Sequence, residues 1–536
     1  MSTTDATSRG HVQNIFDACG FVADRIRKTL GPRGLNQTIV GPSGIFTILV
    51  FLVFYFNLLL GVTATTNDGA ELLGCMDIPV FAQTMVDFAK RQDQNWGGGS
   101  TSVLILADEL LKNARLLLQR HDPEQIIKSY SNALARATNK IKQLSIPLNS
   151  VQQRQMVKQF LKKTMGSRSA LPDRDDFAEK ILDAVFFMDE RLSIDMIGIN
   201  TVSGGGPSME LDLINGVAFQ QSFTFARSEM VQLMSYNKCR IVMLDIALVL
   251  QTENVDFVPI SNYEEVFEAD HKELSKKLEL IQHCGANVVL SMRTIGEFAT
   301  EWFGNRGIHC TGRVKQEEVK RLKATCGGDV LTTVSTIDET KLANCGQFRE
   351  QQYGNERYNV FRQCCKAQTC TLLLCAGEDQ EIMETARSLH DAIKIVHAAK
   401  IDNTIVAGGG AIEMEVSRDL TNHSKSIATA EQYALRAYAR SFEVIPKQLC
   451  VNAGLNAADL LKQLRTKHSK GETSAGVDLH TETVRDNFLA LIWDPTLLKQ
   501  NTIIAATEAA CHALTSFHMN KTTSALSGGS VPAPGK

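Results

Sequence analysis

Apolar residues recur at helical spacing through most of the first 145 positions. The clearest stretch is "HDPEQIIKSYSNALARATNKI" (121–141). Ile126, Ile127, Tyr130, Leu134, Ala137 and Ile141 stand three or four apart, which lines one face of a helix. Asp122 occupies the N-cap position and Pro123 the first helical position, where its missing N–H costs nothing. Pro147 closes this helical block. Residues 148–212 then mix short helical segments with a strand in "LSIDMIGIN" (192–200) and a loop at "SGGGPS" (203–208). From 213 to 370 the pattern changes. "CRIVMLDIALVL" and "ANVVLSM" are unbroken apolar runs of the kind buried on both faces of a sheet, and "TIGEFATEWF" reads as an amphipathic helix. After "TCTLLLCAG" (369–377) the pattern predicts helix again to about residue 518. The closing "TTSALSGGSVPAPGK" (522–536) is small, polar and rich in Pro and Gly, a composition that favours disorder.

One segment breaks this order. No charged residue occurs between Gly34 and Asn67, and within that stretch lies "GIFTILVFLVFYFNLLLGV" (44–62). As a helix, its 18 residues from Ile45 to Val62 would span roughly 27 Å, close to the roughly 30 Å of a bilayer interior. Thr47, Tyr55 and Asn57 interrupt it, and no nearby Lys or Arg cluster fixes an orientation. Phe, Val and Ile also favour strands, so a buried β-hairpin is the alternative. The run by itself does not choose between them.

Composition narrows the function classes. The 536 residues, 21% charged and 44% apolar, have an ordinary globular balance with room for several cores. A net charge of -3 gives no footprint for nucleic acid. The N-terminal "MSTTDATSRG" is polar and carries no secretory signal. Thirteen cysteines are scattered without a C-x-x-C pair, so reduced thiols within cores are expected rather than a zinc site or a disulfide framework.

Four clusters carry candidate chemistry: "LGPRG" (30–34), "TNDGA" (66–70), "WGGGSTS" (96–102) and "VAGGGA" (406–411). The third runs directly into the helical pattern "VLILADELLKNARLLL". Glycines ahead of a helix, with hydroxyls in its first turn, bring backbone N–H groups and the positive end of the helix dipole to one point. That combination attracts phosphate. No Gly-Lys-Ser/Thr follows, so it is not a Walker A loop.

Seven segments occur in the order seen in group II chaperonins: "KTLGPRGLNQTIV", "TNDGAELL", "AKRQDQNWGGGSTSVLILADELL", "ARSLHDAIKIV", "VAGGGAIEMEVSRDL", "CVNAGLNAADLLKQLRTKH" and "AGVDL". The chain resembles that family, and specifically the subunits of the eukaryotic cytosolic chaperonin, along almost its whole length. The resemblance implies a multidomain α plus α/β fold. Residues 1–146 and 408–521 would form a helical equatorial ATPase domain, 147–212 and 371–407 a hinge-like intermediate domain, and 213–370 an α/β apical substrate-binding domain with a lid protrusion. It also implies a cytoplasmic, hetero-oligomeric double ring of paralogous subunits that encloses unfolded client proteins, with ATP and Mg as cofactors.

The resemblance further assigns roles. Gly31 and Pro32 match a phosphate-contacting turn. Asn67, Asp68 and Gly69 match an acidic loop whose Asp faces the attacking water. Gly97, Gly99, Ser100, Thr101 and Ser102 match the phosphate cradle, and Asp391 matches the hinge-domain carboxylate that orients water. Gly409, Gly476, Asp494 and Lys499 match the nucleoside side of the pocket, and Ser167 and Arg168 stand where the family has Ser-Lys. Since the hinge would supply Asp391, hydrolysis would be coupled to domain motion.

Three positions depart from the family pattern. Gly98 replaces the Asp that ligates magnesium, Asn36 replaces another Asp, and Trp96 replaces a small aliphatic residue. Magnesium binds largely through phosphates and water, so these changes put hydrolysis in doubt more than nucleotide binding. The apolar run adds about 17 residues (45–61) to a family hairpin whose two ends belong to one nucleotide pocket. A bilayer span would separate those ends, so the resemblance argues against a membrane and for a hairpin extension or an intron translated in frame.

Overall fold

The computed structural model describes residues 3–35, 37–39, 64–66, 69–147, 150–165, 174–189, 192–203, 209–220, 235–250, 263–334, 337–354, 356–364, 366, 368–377, 379–428 and 431–527. The apolar run 45–61, Asn36, Asn67, Asp68, Ser167, Arg168 and the end of the tail (528–536) lie outside them. Two compact units result. Unit one is Met1–Arg168 with Lys394–Lys536, and unit two is Ser169–Ile393.

Unit one begins with helix α1 (Thr3–Ile26), a 3-10 turn (Arg27–Thr29) and strands β1 (Gln37–Ile39) and β2 (Ala64–Thr66). The two strands pair antiparallel, Gln37 opposite Thr66 and Ile39 opposite Ala64. Helices α2 (Gly69–Cys75), α3 (Gln83–Trp96), α4 (Ser100–Leu117) and α5 (Pro123–Leu144) follow, then β3 (Ile146–Pro147) and α6 (Ser150–Met165). In α5 the expected face is buried through Ile126, Tyr130, Ala137 and Ile141. Asp122 is its N-cap residue, although its side chain makes no capping bond.

Unit two starts with α7 (Arg174–Phe187), β4 (Gly198–Ser203), β5 (Glu210–Ile214), β6 (Gly216–Gln220) and β7 (Ser235–Leu244). It continues with α8 (Tyr263–His283), β8 (Val288–Ser291), α9 (Glu297–Gly304), β9 (His309–Thr311), α10 (Gln316–Cys326), β10 (Val330–Leu331), β11 (Ala343–Tyr353), β12 (Glu356–Cys364) and β13 (Thr371–Ala376). One sheet runs β6-β12-β11-β7-β8-β9, with β10 also on β7. Val242 and Leu244 of β7 pack with α8 and α9, while Ile241 and Met243 pack with α10. Both faces are therefore covered, which explains the unbroken apolar run. A separate sheet, β4-β13-β5, joins residues 198–214 to 371–376. The strand expected at 192–200 starts six residues later, at Gly198, because Ile194–Met196 form a 3-10 turn.

Helix α11 (Asp379–Asp402) contains the unit boundary, after which the chain completes unit one. There follow β14 (Thr404–Ala407), α12 (Ala411–Ser424), α13 (Glu431–Ser441), α14 (Val444–Asn452), α15 (Ala457–Ser469), β15 (Ala475–Asp478), β16 (Thr483–Asp486), β17 (Trp493–Pro495) and α16 (Thr496–Ser527). The expectation of continuous helix is corrected here, since four short strands interrupt it. At three or four residues each they are too short to show a period. Helix α16 runs on through residues 522–527.

The two compact units do not follow the bounds of the three expected domains. Residues 147–168 and 394–407 fall in unit one. There β14 pairs with β3 and β17, and Phe160 stacks on Trp493 at 4.5 Å. At the centre of unit one, Val103 to Ala107, Leu110, Leu111 and Ala114 of α4 are at most 2% exposed. Burial on nearly all sides suits a helix enclosed by α1, α3, α13, α14 and α16. Each such Leu or Val contributes about 1.5–3 kcal/mol against the entropy of ordering it.

Candidate functional site

Two helices of unit one begin at glycines with left-handed backbone, and neither has a side-chain cap. Helix α4 starts after Gly99 (φ 86°) and α12 after Gly410 (φ 81°). Ala411 N donates back to Gly408 O at 3.3 Å; the other first-turn N–H groups and both dipole ends are left for another acceptor, the arrangement that binds anions.

The loop ahead of α4 is tightly fixed. Gly97 ends α3 by donating to Asp93 O at 2.8 Å, and the same carbonyl accepts from Lys394 Nζ at 3.2 Å. A Cβ at Gly99 would lie 2.7 Å from Thr502 Oγ1, on α16, so glycine is required by both φ and space. Ser100 is buried, and Thr101 and Ser102 are half-buried in the first turn. Gly69, opening α2, approaches so close that a Cβ would meet Thr101 Oγ1. Gly98 differs: a Cβ there meets nothing within 4 Å.

The turn at Gly31 and Pro32 is held from α14. Asn452 Nδ2 donates to Arg27 O at 2.9 Å and to Leu30 O at 2.8 Å, and Gly34 N donates to Gly31 O at 3.0 Å. Leu449, on the same helix, would collide with a Cβ at Gly31, and Pro446 stands 2.6 Å from a Cβ at Gly410. Helix α14 therefore braces both the Gly31 turn and the start of α12.

The second glycine run is packed against β15 and the turn after β16. Asn487 is fully buried, and its Nδ2 donates to Gly408 O at 2.8 Å. Val477 N donates to Gly409 O at 2.9 Å. A Cβ at Gly409 would meet Asn487 Nδ2 and lie 2.5 Å from Val477 O, and one at Gly476 would lie 2.7 Å from Gly408 O. Beside these, Lys499 Nζ sits 2.7 Å from Glu413 and 3.2 Å from Asp494. Burial alone would lower the Lys499 pKa, but Asp494 and Glu413 outweigh it and hold the ammonium above its usual range. Four buried polar atoms in this region lack a partner among the described residues: Glu413 Oε2, Asn487 Oδ1, Trp493 Nε1 and Thr496 Oγ1. Such orphans are uncommon in folded proteins and mark a place where a ligand or water completes the bonding.

The expected residues thus form connected groups in unit one. Helix α16 carries Lys499 and Thr502 to the two loops, and α14 links the Gly31 turn to α12. Asp391, on α11, lies in unit two and is 9% exposed. Asn67, Asp68, Ser167 and Arg168 lie outside the described residues. Sequence reading did not single out Asn452, Asn487, Gln92, Thr502 or Glu413. Gln92, Glu413 and Asn452 fall within the quoted family segments, but nothing local marked them; Thr502 and Asn487 fall in none.

For a nucleotide, the uncapped helix starts and the orphaned polar atoms fit a phosphate-bearing, hydrogen-bonding ligand. For magnesium the fit is incomplete, because position 98 offers no carboxylate.

A family model described as the TCP-1/cpn60 chaperonin family matches residues 55–516. The T-complex protein 1 subunit eta of Bos taurus is 40% identical over 509 residues, covering 93% of this chain and 90% of its own. The subunits of the same name from Saccharomyces cerevisiae and Arabidopsis thaliana are each 38% identical, over 516 and 519 residues, with 94% of this chain and 90% of theirs covered.

Proposed function

The chain belongs to the TCP-1/cpn60 chaperonin family, and from that premise we propose that it is an eta-type subunit of a cytosolic, ATP-dependent double ring. Paralogous subunits complete the ring, which encloses unfolded proteins and assists their folding. The three family domains are assigned as above: equatorial (1–146, 408–521), intermediate (147–212, 371–407) and apical (213–370).

The observation that carries nucleotide binding is the pair of glycine-started, uncapped helices α4 and α12, braced by α14 and α16. In this reading Gly31, Pro32, Gly97, Gly99, Ser100, Thr101 and Ser102 hold the phosphates. Gly409, Gly476, Asp494 and Lys499 take the nucleoside side, and Ser167 and Arg168 lie near the phosphates. Asp68 and Asp391 are the carboxylates that aim a water, with Asn67 and Gly69 shaping the loop of the former. Magnesium, when bound, offsets the charge of the triphosphate. Hydrolysis of this kind is mostly positioning and charge neutralisation.

A second reading is favoured by Gly98. The subunit holds nucleotide as a scaffold and turns it over slowly, because one preorganised charge is missing from the site. The assignment as a ring subunit is tested by tagging the chain, isolating it from soluble extract and sizing it. A double-ring particle containing paralogous subunits is expected. A detergent-dependent monomer overturns the reading.

A further inference from the structure

Four of the chain's cysteines converge in unit two. Cys345 of β11 stands directly opposite Cys364 of β12 on one side and Cys239 of β7 on the other. All three therefore point to the same face of the sheet. That face is covered by α10, whose last residue is Cys326. The sulfurs of Cys326, Cys345 and Cys364 all lie within 4.8 Å of one another.

We propose that Cys326, Cys345 and Cys364 bind a thiophilic divalent metal ion, zinc, between the end of α10 and the β11–β12 ladder. Three thiolates at about 2.3 Å from a tetrahedral ion stand about 3.8 Å apart. The observed sulfurs need only draw inward by about 1 Å or less to reach that spacing. The backbone around them is fixed. Cys345 and Cys364 are register partners in the ladder, and Lys366 N donates to Thr325 O at 3.0 Å, tying the chain after β12 to the end of α10. Cys239 flanks Cys345 from the far side. Two strand spacings, about 9.6 Å, separate it from the Cys364 strand, so it supports the site without sharing one ion with Cys364. Cys326 and Cys345 are 3% and 2% exposed, while Cys364 is half-buried and gives an ion its route in.

Charge favours zinc over a monovalent ion. Three thiolates with a divalent ion leave one net negative charge, and with Cu(I) they leave two. A counter-charge is at hand in Lys366, whose side chain lies against Gly327, the residue after Cys326. Soft thiolates select zinc or Cu(I) over magnesium and calcium. Without metal the same thiols have a bland alternative: Cys345 Sγ donates to Arg362 O at 2.9 Å and to Gln347 O at 3.1 Å.

The experiment uses assembled rings containing the full chain, purified with reductant and stripped by chelation. Zn²⁺ is titrated against a chromophoric zinc chelator, with a parallel titration of Cu(I) against a Cu(I)-selective chelator. Rings carrying Cys345→Ser or Cys364→Ser should bind one Zn²⁺ fewer per copy of this chain, or bind it at least about a hundredfold more weakly. Rings carrying Cys511→Ser should match the parent. Cys364 is half-buried, so its variant keeps the test open if Cys345→Ser fails to assemble. Zinc stoichiometry and affinity unchanged in Cys364→Ser would overturn the proposal, as would uptake of Cu(I) alone.

Discussion

Single positions in unit one divide into those with room and those without. Gly98 has room, since a Cβ there meets nothing within 4 Å. Gly98→Asp should therefore fold and assemble normally, and it would place a carboxylate beside the proposed phosphate cradle. A preorganised electrostatic partner is worth about 3 kcal/mol, or roughly a hundredfold in rate. We expect single-turnover hydrolysis attributable to this subunit to rise at least about tenfold. It would be measured in rings whose other subunits lack their catalytic carboxylates, and equal rates would show that Gly98 is not limiting. Gly409 has no room. Its φ is 64°, and a Cβ would meet Asn487 Nδ2 and crowd Val477 O. Gly409→Ala should cost about 1–3 kcal/mol in strain and weaken ATP binding, whereas Gly98→Ala should leave binding near the parent value. Equilibrium nucleotide binding to both variants checks the contrast. Lys499 illustrates a third situation, a cation shared by Asp494 and Glu413. Lys499→Met leaves both carboxylates without it and should destabilise the chain by about 3 kcal/mol. Adding Glu413→Leu should recover part of the loss, and thermal unfolding of the single and double variants measures it.

Between elements, α12 and α15 share an apolar cluster of Met414 with Leu460, Leu461 and Leu464, and beside it a polar, pH-dependent pairing. Glu415, fully buried on α12, lies 3.0 Å from His468 Nδ1 on α15 and pairs with Arg418 one turn on. Burial pushes the Glu415 pKa up, but the bonds from His468 and Arg418 outweigh it and hold the carboxyl below its usual value. A depressed carboxyl stabilises the fold fully above its unfolded pKa of about 4.3, and that contribution is lost as pH falls through the folded value. Glu415→Gln should therefore be less stable than the parent near neutrality and show a shallower loss of Tm below about pH 4.3. Thermal unfolding between neutral and acidic pH reads both effects. At the same scale, the cysteine row in unit two comes from β7, β11 and β12, whose pairing alone brings residues 239, 345 and 364 into line. Local spacing carried no trace of it, because the residues lie far apart in sequence.

For the whole molecule, the apolar run 45–61 enters between two strands already paired. Ile39 faces Ala64, so the hairpin is closed at that point whatever lies beyond it. Deleting 45–61 leaves seven residues, 40–44 and 62–63, to join the strands. That is slightly longer than the two to five or so residues of most hairpin loops, and sufficient. The deletion variant should enter rings as well as the parent, judged by sizing and by the stoichiometry of this chain. An insoluble deletion variant alongside a parent that assembles would show that the run is structural. No described helix is long and apolar enough to cross a membrane, and the run itself lies outside the described residues.

Some of this was written in the sequence alone. The helix at 123–144, the α/β character of 213–370 and the glycine loops before α4 and α12 follow from local period and from residues that only special backbone geometry accepts. The ordered motifs carried the family. Other features belonged to the tertiary structure. The short strands β14 to β17 exist because distant segments pair, as Val406 does with Asp494, and three or four residues are too few to show a period. Asn452 and Asn487 hold the site because folding brings an amide to carbonyls 422 and 79 residues away. Nothing in a lone asparagine announces such a partner. The pairing of Lys499 with both Glu413 and Asp494, and the gathering of cysteines from three strands and a helix end, have the same origin. Local pattern determines which element forms and where glycine is needed. Only the packing of those elements decides which polar and thiol groups meet, because that depends on distances between segments far apart in the chain.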